Sequence, residues 1–351
     1  MKKVSIILSI LIIVGSIVLL SLYKMGISKV SDNATTKEFV VEKGSTYTSL
    51  SSSLKKQNLI KSELMYKIFI KLNKPSGLEA GKYDLNESMD VRQIVKVLSS
   101  GSKKAETVKI TFKEGKNMRY IARLISQNTN NTEDDVFNKL KDKDYINSLV
   151  NQYWFLTDNI KKDEIYYPLE GYLFPDTYEF MKDSSVEDIF KVMLDEMDKK
   201  LKDLKSEIDN SKYNIHELIT LASIVELEGA SSNDRAKVAG VFYNRLSSGW
   251  TLGSDVTTYY AEKKDDWSGL TLSQLNNCNA YNTRGNCVSG LPIGPICNPS
   301  LESIKAVITP EITNNYYFVA DCSGKTYLNR TESGHNSTIR KLKNENNWCD
   351  N

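Results

Sequence analysis

The sequence predicts an α+β protein attached to a membrane by a single N-terminal helix. Residues 4–23 carry no charged side chain and are flanked by Lys2, Lys3 and Lys24. Beyond residue 37, short strand-like segments alternate with segments whose apolar residues recur every three or four positions, as in amphipathic helices. Together these patterns predict one membrane span followed by a folded body of helices and small sheets.

The N-terminal apolar run has the length of a membrane span. Twenty helical residues extend about 30 Å, which matches the hydrocarbon core of a bilayer. Because basic residues precede the run, the positive-inside rule places the N-terminus in the cytoplasm and the rest of the chain outside the cell membrane. A cleaved signal peptide is the alternative, but its apolar region is usually about 7–15 residues long and ends at a small-residue site. We expect a retained anchor over residues 1–25 and a polar stalk over residues 26–37.

The charge balance excludes one class of partner. The chain has 46 basic and 44 acidic side chains and a formal net charge of +2. A nucleic-acid-binding protein usually has a strong basic excess, so we expect no nucleic-acid partner.

The cysteines lie together in the last quarter of the chain, at Cys278, Cys287, Cys297, Cys322 and Cys349. Outside the cytoplasm, such clustering suggests one or two disulfides. Cys278 and Cys287 form the nearest pair, Cys322 with Cys349 is another option, and the odd number leaves at least one thiol. A zinc site is the alternative, but the sequence has no C-x-x-C motif and His335 is the only histidine nearby, so we predict no metal site.

Three further regions follow the stalk. Residues 38–104 carry a strand–helix–helix–strand–helix pattern that predicts a small α+β module. Residues 105–180 begin with a weaker repeat of that pattern and contain an aromatic, proline-punctuated segment that we expect to be a structured loop. Residues 181–351 begin with a long amphipathic helix and form the predicted catalytic domain.

The helix beginning near His216 contains the most informative pair of acidic residues. On a helical wheel, Glu226 shares the apolar face with Ile219 and Ala222, whereas Glu228 lies about 200° away on the side expected to face water. A carboxyl group in apolar surroundings has a raised pKa, as a general acid working near neutral pH requires. The alternative is a structural glutamate paired with an arginine such as Arg235 or Arg245.

The segments after this helix are rich in groups that bind sugars. Amide and tyrosine side chains hydrogen-bond and stack on saccharides, and the proline-rich segment 290–299 has the stiffness of a pre-shaped cleft wall. The residues required for phosphoryl transfer, Ser-His hydrolysis or a metal-dependent reaction are missing. The sequence has no G-x-S-x-G, P-loop or H-E-x-x-H motif and contains two histidines. We expect His216, near the helix start, to lie on the surface.

The chain resembles the YceG-like family of endolytic murein transglycosylases, known as MltG. The resemblance covers nearly the whole region after the anchor and rests on ordered motifs: LEGYLFPDTY (169–178), LASIVELEG (221–229), VFYNRL (241–246), Ser254-Asp255 with Thr257, YNT (281–283), GLPIGPICNPS (290–300), YYFVAD (316–321) and His335-Asn336. The chain departs from the family pattern at Ile293, where a proline is common, and in the cysteine-containing insert 284–289.

The resemblance implies a fold and a reaction. It identifies residues 38–104 as a LysM-like module, residues 105–180 as a second LysM-like or connecting subdomain, Glu226 as the catalytic acid and Glu228 as a second acidic position. The implied reaction cleaves the β-1,4 bond between N-acetylmuramic acid and N-acetylglucosamine within a glycan strand, leaves a 1,6-anhydro end, and needs one carboxyl group and no cofactor. Candidate residues for orienting the sugars or tuning the acid are Glu228, Asn244, Arg245, Asp255, Tyr281 and Asn282.

Two other functions fit the same residues. A wall-binding scaffold would hold glycan without cutting it, and a lysozyme-like hydrolase would release reducing ends. The expected partners are peptidoglycan strands and the membrane, and the resemblance also suggests peptidoglycan synthases. The expected location is the cell membrane, with the catalytic domain outside the cytoplasm.

Overall fold

The computed structural model describes the backbone of residues 2–101, 107–228, 231, 234–285 and 287–348, with side chains from residue 14 onward. Contacts between residues divide the chain into two compact units, Met1–Thr107 and Val108–Asn351. Both contain helices and small sheets, which confirms the predicted α+β class.

The first unit follows the predicted order of elements. It contains α1 (Lys2–Ile27), β1 (Lys37–Val41), α2 (Ser51–Lys56), α3 (Glu63–Asn73), β2 (Gly81–Leu85) and α4 (Val91–Ser99). Strands β1 and β2 pair antiparallel, and their alternate residues Phe39 and Tyr83 are buried opposite one another against apolar side chains of the helices. Asp90 caps α4 in a reciprocal arrangement with Gln93, as expected of a helix start.

The N-terminal run forms helix α1, but the side chains of residues 1–13 lie outside the described part of the chain. Among the residues that the structure describes, no helix is both long enough and apolar enough to cross a membrane. The predicted span over residues 4–23 therefore stays a prediction. After α1, the backbone amides of Val30 and Ser31 donate to the carbonyl of Glu87, so the start of the predicted stalk contacts the first unit.

The second unit contains most of the helices. Its elements are β3 (Thr107–Thr111), α5 (Met118–Asn128), α6 (Glu133–Lys141), α7 (Lys143–Gln152), a 3-10 turn (Asp158–Lys161), β4 (Thr177–Met181), α8 (Val186–Lys202), α9 (Lys205–Asp209), α10 (Ile215–Leu227), α11 (Arg235–Ser247), α12 (Asp255–Ala261), α13 (Leu272–Leu275), α14 (Leu301–Ile308), β5 (Tyr317–Ala320), β6 (Thr326–Asn329) and α15 (Glu332–Asn344). Strand β3 pairs with β4, and β5 pairs antiparallel with β6.

Helix α10 is the centre of this unit. It begins at Asn214, which caps it reciprocally with Glu217, and every residue from Ile215 to Val225 except Glu217 is buried. Helices α11 and α14 pack against it. Because the middle of the helix is enclosed, its partly exposed side chains lie at its two ends, with Glu217 in the first turn and Glu226 and Glu228 at the last.

His216 is buried instead of lying on the surface, so that prediction was wrong. Its side chain is 5% exposed, its Nδ1 accepts from the hydroxyl of Tyr172 at 2.7 Å, and its Nε2 donates to the carbonyl of Ile293 at 2.8 Å. Burial is the main cause that lowers the pKa of His216, so the ring stays neutral as these two bonds require. The histidine joins the aromatic loop to the proline-rich segment.

The proline-rich segment 290–299 is largely buried within the second unit. Gly171 has a positive φ of 86° and lies directly against Pro295, leaving no space for a side chain. Asn298, 1% exposed, accepts from the amide of Leu173 and donates to the carbonyl of Lys116. One buried amide therefore connects three loops.

One of the two suggested disulfides is observed. Cys278 and Cys287 are bonded, with their Cα atoms 5.4 Å apart, and Cys297 is a buried free thiol. Cys349 lies outside the described residues, so its pairing with Cys322 stays a prediction.

Candidate active site

Glu226 is enclosed by hydrogen-bond donors. Its Oε1 accepts from Arg235 Nη2 at 3.0 Å, while its Oε2 accepts from the amide of Ser300 at 3.0 Å, the hydroxyl of Ser300 at 2.6 Å and the hydroxyl of Ser303 at 2.7 Å. The side chain is 6% exposed. Ser300 caps α14, so the carboxylate also lies at the positive end of that helix.

The expectation of apolar surroundings for Glu226 was wrong. The helical wheel placed it correctly towards the protein interior, but the neighbours there are a guanidinium, an amide and two hydroxyls. The observed arrangement is the alternative in which Glu226 pairs with Arg235.

Glu228 has different surroundings at the C-cap of the same helix. The hydroxyl of Ser254 donates to its Oε1. Burial, the largest cause, raises the pKa of Glu228, and the negative charge of Asp255 raises it further, against the opposite effects of Ser254, Arg245 and Arg284. The residue expected to face water is thus a partly buried carboxyl group with a raised pKa.

Glu228 lies in an open cavity of about 500 Å³. We call this cavity the Glu228 groove. It lies between the end of α10, the segment before α12, the disulfide-closed loop and the start of α15, and its lining residues are Glu228, Arg245, Trp250, Thr251, Gly253, Ser254, Asp255, Arg284, Tyr317, Phe318, Glu332, His335 and Asn336.

The structure brings Arg245 and Asp255 to this groove together with Glu228, and the sugar-binding roles expected of them stay predictions. Arg245 is held by the protein backbone, since its Nε donates to the carbonyl of Tyr316 at 2.7 Å and its Nη1 donates to that of Leu252. Asp255 forms an ion pair with Arg284, and both side chains are about half exposed. A polar ligand in the groove can therefore contact both the positive charge of Arg245 and the negative charge of Asp255.

The other three predicted residues have structural contacts and do not line the groove. Asn244 Nδ2 donates to the carbonyls of Thr313 and Asn315. Tyr281, 1% exposed, accepts from the amide of Tyr166. Asn282, also 1% exposed, donates from Nδ2 to the carbonyl of Asn277 in its own loop and accepts at Oδ1 from the hydroxyl of Thr258. These amide and hydroxyl groups are of the kind that binds sugars, but they are already hydrogen-bonded within the protein.

Several groove residues were missed or carried no assigned role. Trp250 packs on Tyr316 with ring centroids 5.0 Å apart, and His335 stacks on Tyr317 with centroids 5.5 Å apart. Burial, with the positive charge of Arg245, lowers the pKa of His335. The sequence signal for His335 was the motif His335-Asn336. No local pattern marked Trp250, because its position depends on folding of the hairpin β5–β6.

A second cavity, of about 380 Å³, lies on the Glu226 side of the helix end. We call it the Glu226 cavity. It is lined by Glu114, Gly115, Lys116, Asn117, Tyr120, Arg123, Glu226, Leu227, Val256, Tyr259, Tyr260, Lys264, Asp265, Trp267 and Ile296. Four of these side chains are aromatic and three are basic.

The family of the chain follows from comparison with known proteins. The family model described as the YceG-like family matches residues 39–341, and the chain belongs to this family. An endolytic murein transglycosylase of Bacillus subtilis (strain 168) is 36% identical over 312 residues, covering 88% of this chain and 86% of that protein.

A second relative is longer than this chain. The endolytic murein transglycosylase of Streptococcus pneumoniae serotype 2 is 32% identical over 327 residues, which are 88% of this chain and 59% of the relative. Among solved structures, a putative yceG-like protein of Listeria monocytogenes superposes with a TM-score of 0.62 at 32% identity, covering 87% of this chain and all of the other. The fold of this chain is therefore similar to that of the solved yceG-like protein.

Proposed function

We propose that this protein is an endolytic murein transglycosylase, a lyase that cuts the β-1,4 bond between N-acetylmuramic acid and N-acetylglucosamine inside peptidoglycan strands. Membership of the YceG-like family supports the proposal, and so do relatives at 32–36% identity that are named for this activity. The observation that carries it is a partly buried carboxyl group, that of Glu228, in an open polar groove.

Glu228 is the group that we assign to proton transfer. In protonated form it donates to the glycosidic oxygen as the bond to C1 of the muramic unit breaks and C1 develops oxocarbenium character. The resulting carboxylate then takes the proton from the C6 hydroxyl of the same sugar, and O6 bonds to C1. The carboxyl group recovers its proton, one C–O bond replaces another, and the product is a 1,6-anhydro end without consumption of water.

The surroundings of the two acids favour Glu228 over Glu226 for this role. A general acid must hold a proton and give it to a ligand, so it needs a raised pKa and access to the cleft. Glu228 lines the groove, whereas Glu226 is held by Arg235, Ser300 and Ser303. We assign Glu226 a positioning role, because it ties the end of α10 to the starts of α11 and α14.

The charged residues of the groove fit the substrate's substituents. Arg245 and Arg284 present positive charge near Glu228, which suits the carboxylate of the lactyl group or peptide on a muramic unit. Asp255 is paired with Arg284 and is therefore a weak candidate for the second carboxylate that a hydrolase would need to activate water. Asn244, Tyr281 and Asn282 have a structural role, because their polar groups are bonded within the fold.

The proposal also includes a membrane anchor, a division into domains and protein partners. Residues 4–23 anchor the protein in the cell membrane with residues 1–3 in the cytoplasm, because an uncharged run of this length suits a bilayer. Residues 38–104 form a LysM-like module, residues 105–180 a second such or connecting subdomain, and residues 181–351 the catalytic domain. Peptidoglycan synthases at the membrane are the proposed protein partners, since their products are the strands to be cut.

Product analysis tests this function. Purified full-length protein in detergent is incubated with peptidoglycan strands, and the new ends are weighed by mass spectrometry. We expect internal cuts with 1,6-anhydromuramic ends. Reducing muramic ends would favour a lysozyme-like hydrolase, and binding without any cut would favour a wall-binding scaffold.

A further inference from the structure

We propose that the Glu226 cavity is a second glycan subsite, which binds a sugar unit through stacking on Trp267 and binds its anionic substituent through Lys116 and Arg123. This inference rests on the proposed function, since it concerns the same glycan strand. It adds a place where the strand is held away from the bond that is cut.

The stacking surface is an indole presented to solvent. Trp267 is 49% exposed and packs on Tyr259, with ring centroids 4.8 Å apart. Tyr120 adds another ring to the cavity wall. Exposing half of an indole to water is unfavourable, whereas the apolar face of a sugar ring covers such a surface and leaves the sugar hydroxyls in water.

The loop that carries Trp267 is fixed in place. Trp267 has a φ of 53°, in the left-handed region that non-glycine residues rarely adopt. Asp265 accepts from Asn117 Nδ2 at 2.7 Å and from Arg119 Nη2 at 2.6 Å, and Lys264 Nζ donates to the carbonyl of Gly269 at 2.6 Å. These contacts hold the indole before any ligand arrives, so little ordering is lost on binding.

The cavity has uncompensated positive charge. Lys116, Arg123 and Lys264 line it, while two of its acids already have cationic partners, Asp265 with Arg119 and Glu226 with Arg235. Burial, with the nearby charge of Glu226, raises the pKa of Glu114. The substituent that fits is a carboxylate, such as that of a lactyl group or of a stem peptide.

The cavity and the Glu228 groove lie on either side of one helix end. Glu226 and Glu228 are two residues apart, and helix α12 contributes Asp255 to the groove and Val256 and Tyr259 to the cavity. A chain of linked sugars can therefore occupy both places at once, whereas a short fragment reaches only one. This arrangement favours long strands and internal cuts.

Binding to glycan strands tests the subsite. The full-length Glu228→Gln protein is titrated with purified long strands, either with or without their stem peptides, and dissociation constants are measured. Trp267→Ala should weaken binding of both kinds of strand about tenfold, and Trp267→Phe should restore most of it. The double variant Lys116→Met/Arg123→Met should weaken binding of both kinds of strand, because a strand without its stem peptides carries free lactyl carboxylates.

The control is Leu272→Ala, which removes an exposed apolar side chain on α13 that lies outside both cavities. Binding by the Trp267→Ala variant within twofold of this control overturns the stacking subsite. Binding of both kinds of strand by the double variant within twofold of this control overturns the anionic part. Cleavage by the otherwise unaltered chain is measured in parallel, and its absence would instead defeat the proposed function.

Discussion

Glu226 and Glu228 lie two residues apart at the end of α10, yet their carboxyl groups have different neighbours. The helical wheel correctly predicts that they point in different directions. It could not predict their environments, because the partners of Glu226 come from Arg235 on the next helix and from Ser300 and Ser303, more than seventy residues further along the chain. Side-chain contacts of this separation are set by tertiary packing alone.

The ion pair of Glu226 with Arg235 should contribute strongly to stability, since the side chains are 6% and 14% exposed. Arg235→Met leaves a buried carboxylate without its cation, and we expect the free energy of unfolding to fall by about 3 kcal/mol. Denaturant unfolding measures it. The control is Lys191→Met, which breaks a pair with exposed side chains on α8 and should cost about 0.5 kcal/mol or less. Equal losses in both variants would contradict the structural role given to Glu226.

Glu170 should make stability depend on pH. It is 1% exposed, and burial raises its pKa from 4.5 to about 7, despite hydrogen bonds from the amide of Met118 and the hydroxyl of Tyr260. Between these two pH values the folded state binds more protons than the unfolded state. The free energy of unfolding should therefore fall as pH rises from about 4.5 to about 7, by up to about 3 kcal/mol from this group.

Glu170→Gln should flatten that part of the pH profile, because the amide does not titrate. Unfolding measured at intervals between pH 4.5 and 8 gives the comparison. Glu164→Gln, at an exposed position in the same loop region, serves as the control and should leave the profile unchanged. A profile that keeps its full slope in Glu170→Gln would count against this assignment.

At the scale of elements, local signals were reliable where a helix or strand is specified by its own residues. Reciprocal capping pairs at Asp90, Ser185 and Asn214 fix the starts of α4, α8 and α10 through residues three positions apart. The role of the cysteine-containing loop could not be predicted, since the loop reaches the groove only through tertiary contacts. The Cys278–Cys287 bond and the buried amide of Asn282 hold it there, and Arg284 extends from it to Asp255.

Removing the Cys278–Cys287 disulfide should weaken both stability and activity. For a ring closed over a separation of nine residues, loop-closure entropy gives about 2–3 kcal/mol. We expect the Cys278→Ser/Cys287→Ser variant to lose this amount in denaturant unfolding and to have a lower kcat/KM, because Arg284 is no longer held at the groove. Cys297→Ser, which leaves the disulfide intact, is the control. An unchanged denaturation midpoint in the double variant would contradict the prediction.

At the scale of the whole molecule, composition and motif order were sufficient to predict the α+β class and the family. The division into Met1–Thr107 and Val108–Asn351 falls close to residue 104, where the sequence analysis ends the first α+β module. The segment 290–299, predicted as a cleft wall, contributes Ile296 to the Glu226 cavity and no lining residue to the Glu228 groove, so it did not predict the position of the groove. The sequence did not show which of the two acids faces the groove, because that depends on the three-dimensional arrangement.

The proposed anchor should restrict where the enzyme cuts. Twelve stalk residues span at most about 40 Å when extended, so an anchored catalytic domain stays close to the membrane, where new strands are made. Deleting residues 1–25 and directing the remainder outside the cytoplasm should spread the anhydro ends over older wall. Pulse-labelled peptidoglycan reports the age of the strands that are cut. An unchanged age distribution would argue against this restriction.

The most direct test of the central claim, that Glu228 carries the proton transfer, compares Glu228→Gln with Glu226→Gln. Each change keeps the side-chain shape and removes the acid, and the rate at which anhydro ends form from purified strands is measured for both folded proteins. We predict that Glu228→Gln lowers kcat about a thousandfold, whereas Glu226→Gln lowers it about tenfold or less and mainly reduces stability. Near-normal cleavage by Glu228→Gln together with inactivity of Glu226→Gln would contradict the account and assign the acid to Glu226.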